Sequence, residues 1–271
     1  MKNKTLILVL LIFSTITLLD SCKKDGDDDP SINIFTIEDD IALGLSVEQE
    51  IAANPIDYPI LDYAEYPEAY YHIYRIRDSL LNTGKVAYSD VFDWQIKIIH
   101  NDSVLNAFAV PGGYMYFYTG IIKFLDNESQ FAGVLGHEMA HVARRHSTDQ
   151  LTKAFGLQIL FSILLGDNPT VIAQIAADLA SGLSTLAFSR DNEYEADEFS
   201  VKYLYETAYD SRGIDAFFQK MEGAAHPPTF LSTHPSPEDR SEKITEVWTS
   251  LGGKVGLEFE ESYQEFKNSL P

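Results

Sequence analysis

The chain has 271 residues, of which 45% are hydrophobic and 12% aromatic, enough for one large or two small folded domains with a substantial core. Its formal net charge is -21, and no cluster of Lys or Arg larger than a pair interrupts the negative charge. A chain of this charge repels phosphate backbones and anionic lipid head groups, so we expect no nucleic-acid binding.

The first residues have the pattern of an export signal. Lys2 and Lys4 precede the apolar run TLILVLLIFSTITLL, which has the length and position of a secretory signal peptide. Cys22, the only cysteine of the chain, follows closely. The segment LLDSC is similar to the bacterial lipobox, although Asp20 stands where that pattern has a small residue. The resemblance implies cleavage before Cys22 and a lipid on the new N-terminus, with an uncleaved anchor helix as the alternative.

This interpretation divides the chain into three parts. We predict a signal peptide over residues 1–21, an acidic and flexible tether over 22–34, and a single domain over 35–271. A lipid on Cys22 would then hold a strongly negative domain to a membrane whose own head groups do not attract it.

Hydrophobic periodicity predicts helices, then a small sheet, then helices again. Apolar residues recur at helical spacing over 37–53 and 62–82, whereas VFDWQIKII, 91–99, alternates as a strand does. LNAFAVPGGYMYFYTGII, 105–122, predicts two short strands around a Pro-Gly-Gly turn. Further helices are expected over 128–147, 188–208, 213–223 and 237–251. This order predicts an α+β, mainly helical domain with a small antiparallel sheet beside the helix of residues 128–147.

The stretch between residues 151 and 186 is apolar enough to suggest a membrane span. Its longest uninterrupted apolar piece is shorter than the roughly 20 residues that a bilayer requires, and the segment GDNP divides it. We therefore expect a helical hairpin that is buried or that covers the functional site.

The segment GHEMAHVARRH, residues 136–146, places two histidines and a glutamate at the spacing of a metal site. His137 and His141 are four residues apart, so on a helix they share one face and both can reach one ion. Glu138 projects about 100° further around the helix, outside the ligand set but near a metal-bound water, where it can act as general base. A catalytic zinc normally has three protein ligands and one open position, so a third ligand must come from another element.

The acidic segment FSRDNEYEADEFS, residues 188–200, is the best source of that third ligand. Glu193 and Asp197 are four residues apart on one predicted helical face. Glu193 on the zinc, with Asp197 accepting a hydrogen bond from a ligand histidine, would complete the ligand set and orient it. A helix this acidic is more commonly a solvated face, and Glu195 and Asp191 are the alternatives for the ligand.

The two motifs together resemble those of the HtpX and CaaX prenyl endopeptidase family of zinc metallopeptidases, gluzincins with the motif pair HExxH and ExxxD. GHEMAHVARRHS and SRDNEYEAD match that pair at every defining position. NAFAVPGGYMYFYTGII is similar to the family's strand hairpin and THPSPEDR to a downstream loop, so the resemblance covers about residues 90–245. The layout is nearest to the small exported lipoprotein members of the family. The resemblance implies one zinc ion per chain.

Four further side chains carry weaker interpretations. His234, in THPSPEDR, is similar to a family histidine that approaches the zinc, where it polarises the oxyanion or occupies the open position in a resting form; an ordinary loop histidine is the alternative. His146 follows His141 by five residues, which on a continued helix rotates it off the ligand face, so we expect it at the surface. Arg190 and Arg240 are expected to bind a substrate carboxylate or to pair with the protein's own acidic helices.

The sequence thus predicts a secreted, lipid-anchored zinc endopeptidase. Glu138 would take a proton from the zinc-activated water and pass it to the leaving amine, and the segment NAFAV could present an edge strand to an extended peptide. By resemblance, the substrates are extended or misfolded proteins of the bacterial cell envelope, with the enzyme on the periplasmic or surface face of the outer membrane. The alternatives are a chaperone-like binding lipoprotein that zinc only stabilises, and a latent enzyme capped by His234 or by the 151–186 hairpin.

Overall fold

A computed structural model of the protein describes residues 33–165, 168–182, 187–222, 229–235 and 239–271. The predicted signal peptide, Cys22 and almost all of the tether lie outside the described residues, so the N-terminal interpretation stays a prediction. Among the described residues, no helix combines the length and the apolar character that crossing a bilayer requires.

Two helices precede the sheet, and local chemistry sets where each begins. Helix α1, Ile37–Ala52, starts after Thr36, whose hydroxyl accepts a hydrogen bond from the backbone of Asp39 while the Asp39 carboxylate accepts one from the Thr36 backbone. Helix α2, Pro67–Leu81, begins later than its apolar pattern suggested. Pro67 lacks an N–H group and fits only the first turn, so it sets the start of the helix.

The sheet has three strands in the order β1-β3-β2 and is mixed. Strand β2, Ala107–Val110, pairs antiparallel with β3, Tyr114–Tyr118, around a 3-10 turn at Pro111–Gly113. Strand β1, Gln95–Ile99, pairs with β3 in parallel. The expected antiparallel pairing is therefore correct for the β2–β3 hairpin and wrong for β1, because the chain leaves β1 and enters the sheet again at the opposite edge.

The remaining regular elements of the described chain are helices, in agreement with the predicted α+β, mainly helical class. The strand expected to extend to residue 122 ends at 118 and continues as a short helix. The helices are α3 Thr119–Phe124, α4 Glu128–Ala143, α5 His146–Leu165, α6 Asn168–Gly182, α7 Arg190–Tyr205, α8 Gly213–Glu222, α9 Phe230–Thr233, α10 Arg240–Ser250 and α11 Glu260–Asn268. The sequence patterns did not predict α3, α9 or α11.

Helix α4 is the centre of the domain, because all sixteen of its residues are buried. Asn127 caps it by accepting a hydrogen bond from the backbone N–H of Gln130. It packs against α7, α8, α2 and strand β2, and α10 packs on α7. Helices α5 and α6 contact each other, as expected of a hairpin, and α6 packs against α1.

Two apolar clusters lie on opposite faces of the sheet. Met115 and Phe117 point into the cluster around α4, whereas Tyr114 and Tyr116, the alternate residues of the same strand, point into the cluster with α1 and α6. The sheet thus separates the helices that carry the functional motifs from α1 and α6.

Two glycines of α4 allow its neighbours to approach closely. A Cβ atom on Gly136 would lie 2.8 Å from the hydroxyl of Ser200 on α7, and one on Gly133 would lie 2.2 Å from the backbone nitrogen of Ile214 on α8. The Ser200 hydroxyl also donates to the Gly133 carbonyl oxygen at 2.8 Å. Close contact between α4 and α7 is what brings the two sequence motifs together.

We expect Gly133→Ala to lower the free energy of unfolding by about 1–3 kcal/mol or more, since the new methyl group overlaps the backbone of α8. Gly156→Ala is the matched control. Gly156 lies in α5, and among the described residues no atom beyond its own helix backbone and chain neighbours comes within 4 Å of its would-be Cβ, so alanine there should stabilise the protein by up to about 1 kcal/mol. Urea denaturation measures both changes, and equal effects of the same sign would contradict the close helix contact.

Candidate metal centre

Helix α4 places the two motif histidines side by side. His137 and His141 lie one turn apart on the face of α4 that meets α7, and both are buried. Their Nε2 atoms are 3.0 Å apart. Two imidazole nitrogens at this distance can bind the same ion.

Helix α7 brings Glu193 to the same point. Ser189 caps this helix by accepting from the backbone N–H of Asn192, so Glu193 lies in the first turn, where it is fully buried. Its two carboxylate oxygens lie 3.5 Å from the Nε2 atoms of His137 and His141. The two motifs of the sequence therefore meet as expected.

A fourth donor comes from His234, which follows the short helix α9. Its Nδ1 atom lies 3.2 Å from His137 Nε2 and 3.0 Å from Glu193 Oε1. The ring stacks on Phe230, with centroids 4.3 Å apart and planes 16° from parallel. His234 is 1% exposed, so its ring lies in the interior beside the two motifs and not at the surface.

The four side chains form a group with the dimensions of a tetrahedral metal site. Their ligand atoms all lie within 4.8 Å of one another. A tetrahedral zinc with bonds of about 2.0–2.1 Å has ligand atoms roughly 3.3 Å apart, and the separations in five of the six pairs of side chains, 3.0 to 3.5 Å, bracket that value. Three imidazoles and one carboxylate suit zinc chemically, so these residues fit the ion.

Glu138 has the environment of a reactive group. Its carboxylate is fully buried, and neither oxygen has a hydrogen-bond partner in the described structure. The nearest basic nitrogen is His234 Nε2, 3.4 Å from Glu138 Oε1. Burial raises the pKa of Glu138 above its usual value. A buried carboxylate without a donor is costly, and its position beside four metal donors gives it a chemical use.

Asp197 and Arg240 form hydrogen bonds with the metal donors His137 and Glu193. The Nδ1–H of His137 donates to Asp197 at 2.9 Å, which leaves the Nε2 lone pair free to face a cation. Arg240, 2% exposed, donates to Asp197 at 2.8 Å and to Glu193 at 3.0 Å. The prediction that Arg240 pairs with the protein's own acidic helices is confirmed.

These contacts move the pKa values of the donors. Burial alone would lower the pKa of His137, but hydrogen bonds to Asp197 and Glu193 outweigh it and raise the value to about 9. Burial alone would raise the pKa of Glu193, but the neighbouring His234 and His137 hold it well below its usual value. Glu193 is therefore an ionised carboxylate inside the core, as a ligand for a divalent cation must be.

The expectation that His146 lies at the surface is wrong. The side chain is buried, with its Nδ1 atom 2.9 Å from His141 Nδ1 and its Nε2 atom 2.8 Å from Glu195 Oε2. The helix does not continue to residue 147, because Arg145 has a left-handed backbone with φ of 61° that ends α4 and turns His146 back toward His141.

Sequence reasoning also missed Phe188, which stacks on His141 with centroids 4.0 Å apart and planes 25° from parallel. Phe188 lies just before α7 and takes no part in either motif. Its backbone N–H donates to the Thr233 carbonyl oxygen at 3.0 Å, next to His234. No local pattern marks such a residue, because its contact depends on how three separate segments pack.

A family of known proteins matches the part of the chain that contains both motifs. The model of peptidase family M48 matches residues 72–247 of the chain, a range that contains all four metal donors and Glu138.

The chain belongs to peptidase family M48. The resemblance to the HtpX and CaaX prenyl endopeptidase group is thereby confirmed.

Several M48 peptidases are similar to this chain. The beta-barrel assembly-enhancing protease of Escherichia coli K12 is 33% identical over 159 residues, 53% of this chain and 32% of that protein. A putative protease of the same name from Vibrio cholerae is 34% identical over 152 residues, 51% of this chain and 31% of that protein. The mitochondrial metalloendopeptidase OMA1 of Schizosaccharomyces pombe is 28% identical over 218 residues, which are 75% of this chain and 62% of that protein. The matches thus span about a third of the two bacterial relatives.

The positions of Glu193 and Asp197 in the site predict how strongly each carboxylate of α7 affects metal binding. We expect Glu193→Ala to abolish tight zinc binding, because it removes a ligand, and Asp197→Ala to weaken binding by about 10- to 100-fold, because it releases His137. Asp191→Ala, an exposed change on the same helix, is the control and should bind zinc as the wild type does. Zinc content after dialysis and competition with a chelator measure the order. Tight, stoichiometric zinc in Glu193→Ala would move the third ligand elsewhere.

Proposed function

We propose that the protein is a zinc-dependent endopeptidase, with His137, His141 and Glu193 as ligands and Glu138 as general base. The observation that supports this most directly is the buried Glu138 carboxylate, which has no hydrogen-bond partner among the described residues and lies beside a group of four potential metal donors. A site in which zinc only stabilises the fold needs four ligands and has no use for such a carboxylate.

The chain's own residues would divide the work of hydrolysis. When held by His137, His141 and Glu193, zinc would lower the pKa of the attacking water to about 7 and polarise the carbonyl of the peptide bond. Glu138 would accept a proton from the attacking water and deliver it to the leaving amine, so that no covalent intermediate forms. Its raised pKa suits the first step, because a stronger base takes the proton more readily. Asp197, itself held by Arg240, would keep His137 in the tautomer that binds metal.

Strand β2 supports a role in holding the substrate. It lies at one edge of the three-stranded sheet, and its residues Phe108 to Val110 border a small cavity together with Phe188 and His234. An extended peptide that paired with β2 would gain main-chain hydrogen bonds with little dependence on its sequence. This arrangement suits unfolded polypeptides of varied sequence as substrates.

We further propose that these substrates are extended or misfolded proteins of the bacterial cell envelope. The support is the similarity to beta-barrel assembly-enhancing proteases, together with the N-terminal segment that reads as an export signal. In this proposal Cys22 carries a lipid and holds the enzyme to the membrane, which incorporation of labelled fatty acid into the wild type but not into Cys22→Ala would test.

We expect Glu138→Gln to keep zinc and the fold but to lower cleavage of casein by at least about 100-fold, because glutamine cannot accept the proton. The full chain, purified with its zinc, is assayed beside the wild type, and zinc content and thermal unfolding are measured on the same samples. Equal cleavage by the two proteins, with contaminating protease excluded, would contradict the assignment of the base. The same comparison separates the endopeptidase from a chaperone-like binding lipoprotein, in which wild type and Glu138→Gln would both leave casein intact.

A latent form of the same enzyme is the second candidate. It is favoured by the position of His234, whose Nδ1 atom adds a fourth donor where a catalytic zinc keeps an open position. In this form the ring must leave before a substrate can be cleaved, and the fraction of molecules with the ring displaced limits the rate.

We expect His234→Ala to retain stoichiometric zinc on three ligands and to cleave casein faster than the wild type. If His234 instead polarises the oxyanion, the same change should lower cleavage, by about 100-fold or more. The sign of the change in the casein assay therefore distinguishes a capping histidine from a catalytic one. Zinc content of the variant is the control, because loss of metal would also lower the rate.

A further inference from the structure

A chain of hydrogen bonds runs from the ligand His141 to the protein surface. His141 Nδ1 lies 2.9 Å from His146 Nδ1, and His146 Nε2 lies 2.8 Å from Glu195 Oε2. Arg144 donates to the other oxygen of Glu195, with its Nη2 atom at 2.7 Å. The two histidines are buried, whereas the side chains of Glu195 and Arg144 are 34% and 42% exposed.

The backbone is bent to make this chain of contacts. His146 could not face His141 on a continued helix, and it does so because Arg145 adopts a left-handed conformation that a residue with a Cβ atom disfavours. The Arg145 side chain is fixed by the buried Asp40, at 2.5 and 3.1 Å, and by the Phe35 carbonyl oxygen at 2.6 Å. A strained turn secured by a buried carboxylate indicates that the position of His146 matters.

The proton positions along the chain have one consistent solution. If His141 offers its Nε2 lone pair to the metal, its Nδ1 atom carries a proton. His146 must then accept that proton's hydrogen bond at Nδ1 and donate from Nε2 to Glu195. Every donor meets an acceptor, and the chain ends on a carboxylate that is paired with Arg144.

The other ligand histidine is held more directly. His137 donates straight to Asp197, which pairs with Arg240. His141 has no carboxylate at its Nδ1 atom among the described residues, and Phe188 on its face can fix the plane of the ring but cannot accept a hydrogen bond. His146 supplies the acceptor that a ligand histidine requires.

We propose that His146 is a positioning residue of the metal centre: it selects the tautomer of His141 and fixes the ring's orientation, and Glu195 with Arg144 holds His146 in turn. The proposal rests on the proposed zinc site. In this proposal Glu195 accepts a hydrogen bond from His146 and is no longer a candidate for the third metal ligand.

Two near-isosteric variants separate this role from simple packing. Asparagine at position 146 can place its carbonyl oxygen near the former Nδ1 atom and still accept from His141, but it cannot reach Glu195. Glutamine extends its amide toward Glu195 and leaves His141 without an acceptor. We therefore expect the zinc affinity of His146→Gln and His146→Ala to fall by about 10- to 100-fold, with His146→Asn closer to the wild type.

The experiment uses the full chain and two readouts besides activity. Zinc affinity is measured by competition with a chelator, and the visible absorption of the Co²⁺-loaded protein reports whether the ligand geometry changes. We expect altered Co²⁺ bands in His146→Gln and nearly wild-type bands in His146→Asn. Urea denaturation of the metal-stripped variants gives the purely structural cost of losing the buried ring.

Unchanged zinc affinity in all three variants would overturn the inference. So would equal losses of zinc affinity in His146→Asn and His146→Gln that parallel the losses in their free energy of unfolding. A wild type that binds no zinc would overturn it as well, together with the metal centre. A wild type that binds zinc tightly but leaves casein intact counts only against the proposed endopeptidase, since the order of affinities still decides the role of His146.

Discussion

The ion pairs of Arg240 with Glu193 and Asp197 are the interaction on which the centre of this structure depends. Two carboxylates buried between helices lose their hydration, and only close pairing with a cation offsets that loss. Arg240, 2% exposed, reaches both from α10. Glu193 faces the metal donors and Asp197 orients His137. The guanidinium that offsets the cost of burying these two carboxylates therefore also fixes the geometry of the site. Stability and chemistry are therefore not separable here, and a change at Arg240 would alter both.

In the proposed metal centre, the two motif histidines would be oriented in two different ways. His137 is held by a buried carboxylate, whereas His141 is held through a second imidazole that leads to the surface. The first arrangement is closed to solvent, so it is insensitive to ionic strength. The second ends on Glu195, whose charge is partly exposed and screened. In such a centre His137 would be fixed by buried residues alone, whereas His141 would be linked by hydrogen bonds to the partly exposed Glu195.

The helical motifs could be predicted from the sequence because their information is local. His137 and His141, like Glu193 and Asp197, are four residues apart, and a helix converts that spacing into a shared face. What could not be predicted depends on distant residues. The parallel pairing of β1 depends on the path by which the chain enters the sheet again at the opposite edge, and the short helices carry too few residues for a periodic pattern. The left-handed turn at Arg145, which places His146, depends on Asp40, more than a hundred residues earlier.

Backbone hydrogen bonds join the segment that carries His234 to the start of β2 and to Phe188. The backbone N–H of Phe230 donates to the Leu105 carbonyl oxygen just before β2, and the Thr233 carbonyl oxygen accepts from Phe188. The segment that carries His234 is thus tied on one side to the chain entering the edge strand and on the other to the residue stacked on His141. A peptide that added to β2 would meet this segment at the small cavity that His234 and Phe188 border. In the proposed latent form the ring of His234 would occupy the position that a substrate oxygen enters, so peptide and histidine would compete for it, and binding along β2 would supply free energy to displace the ring.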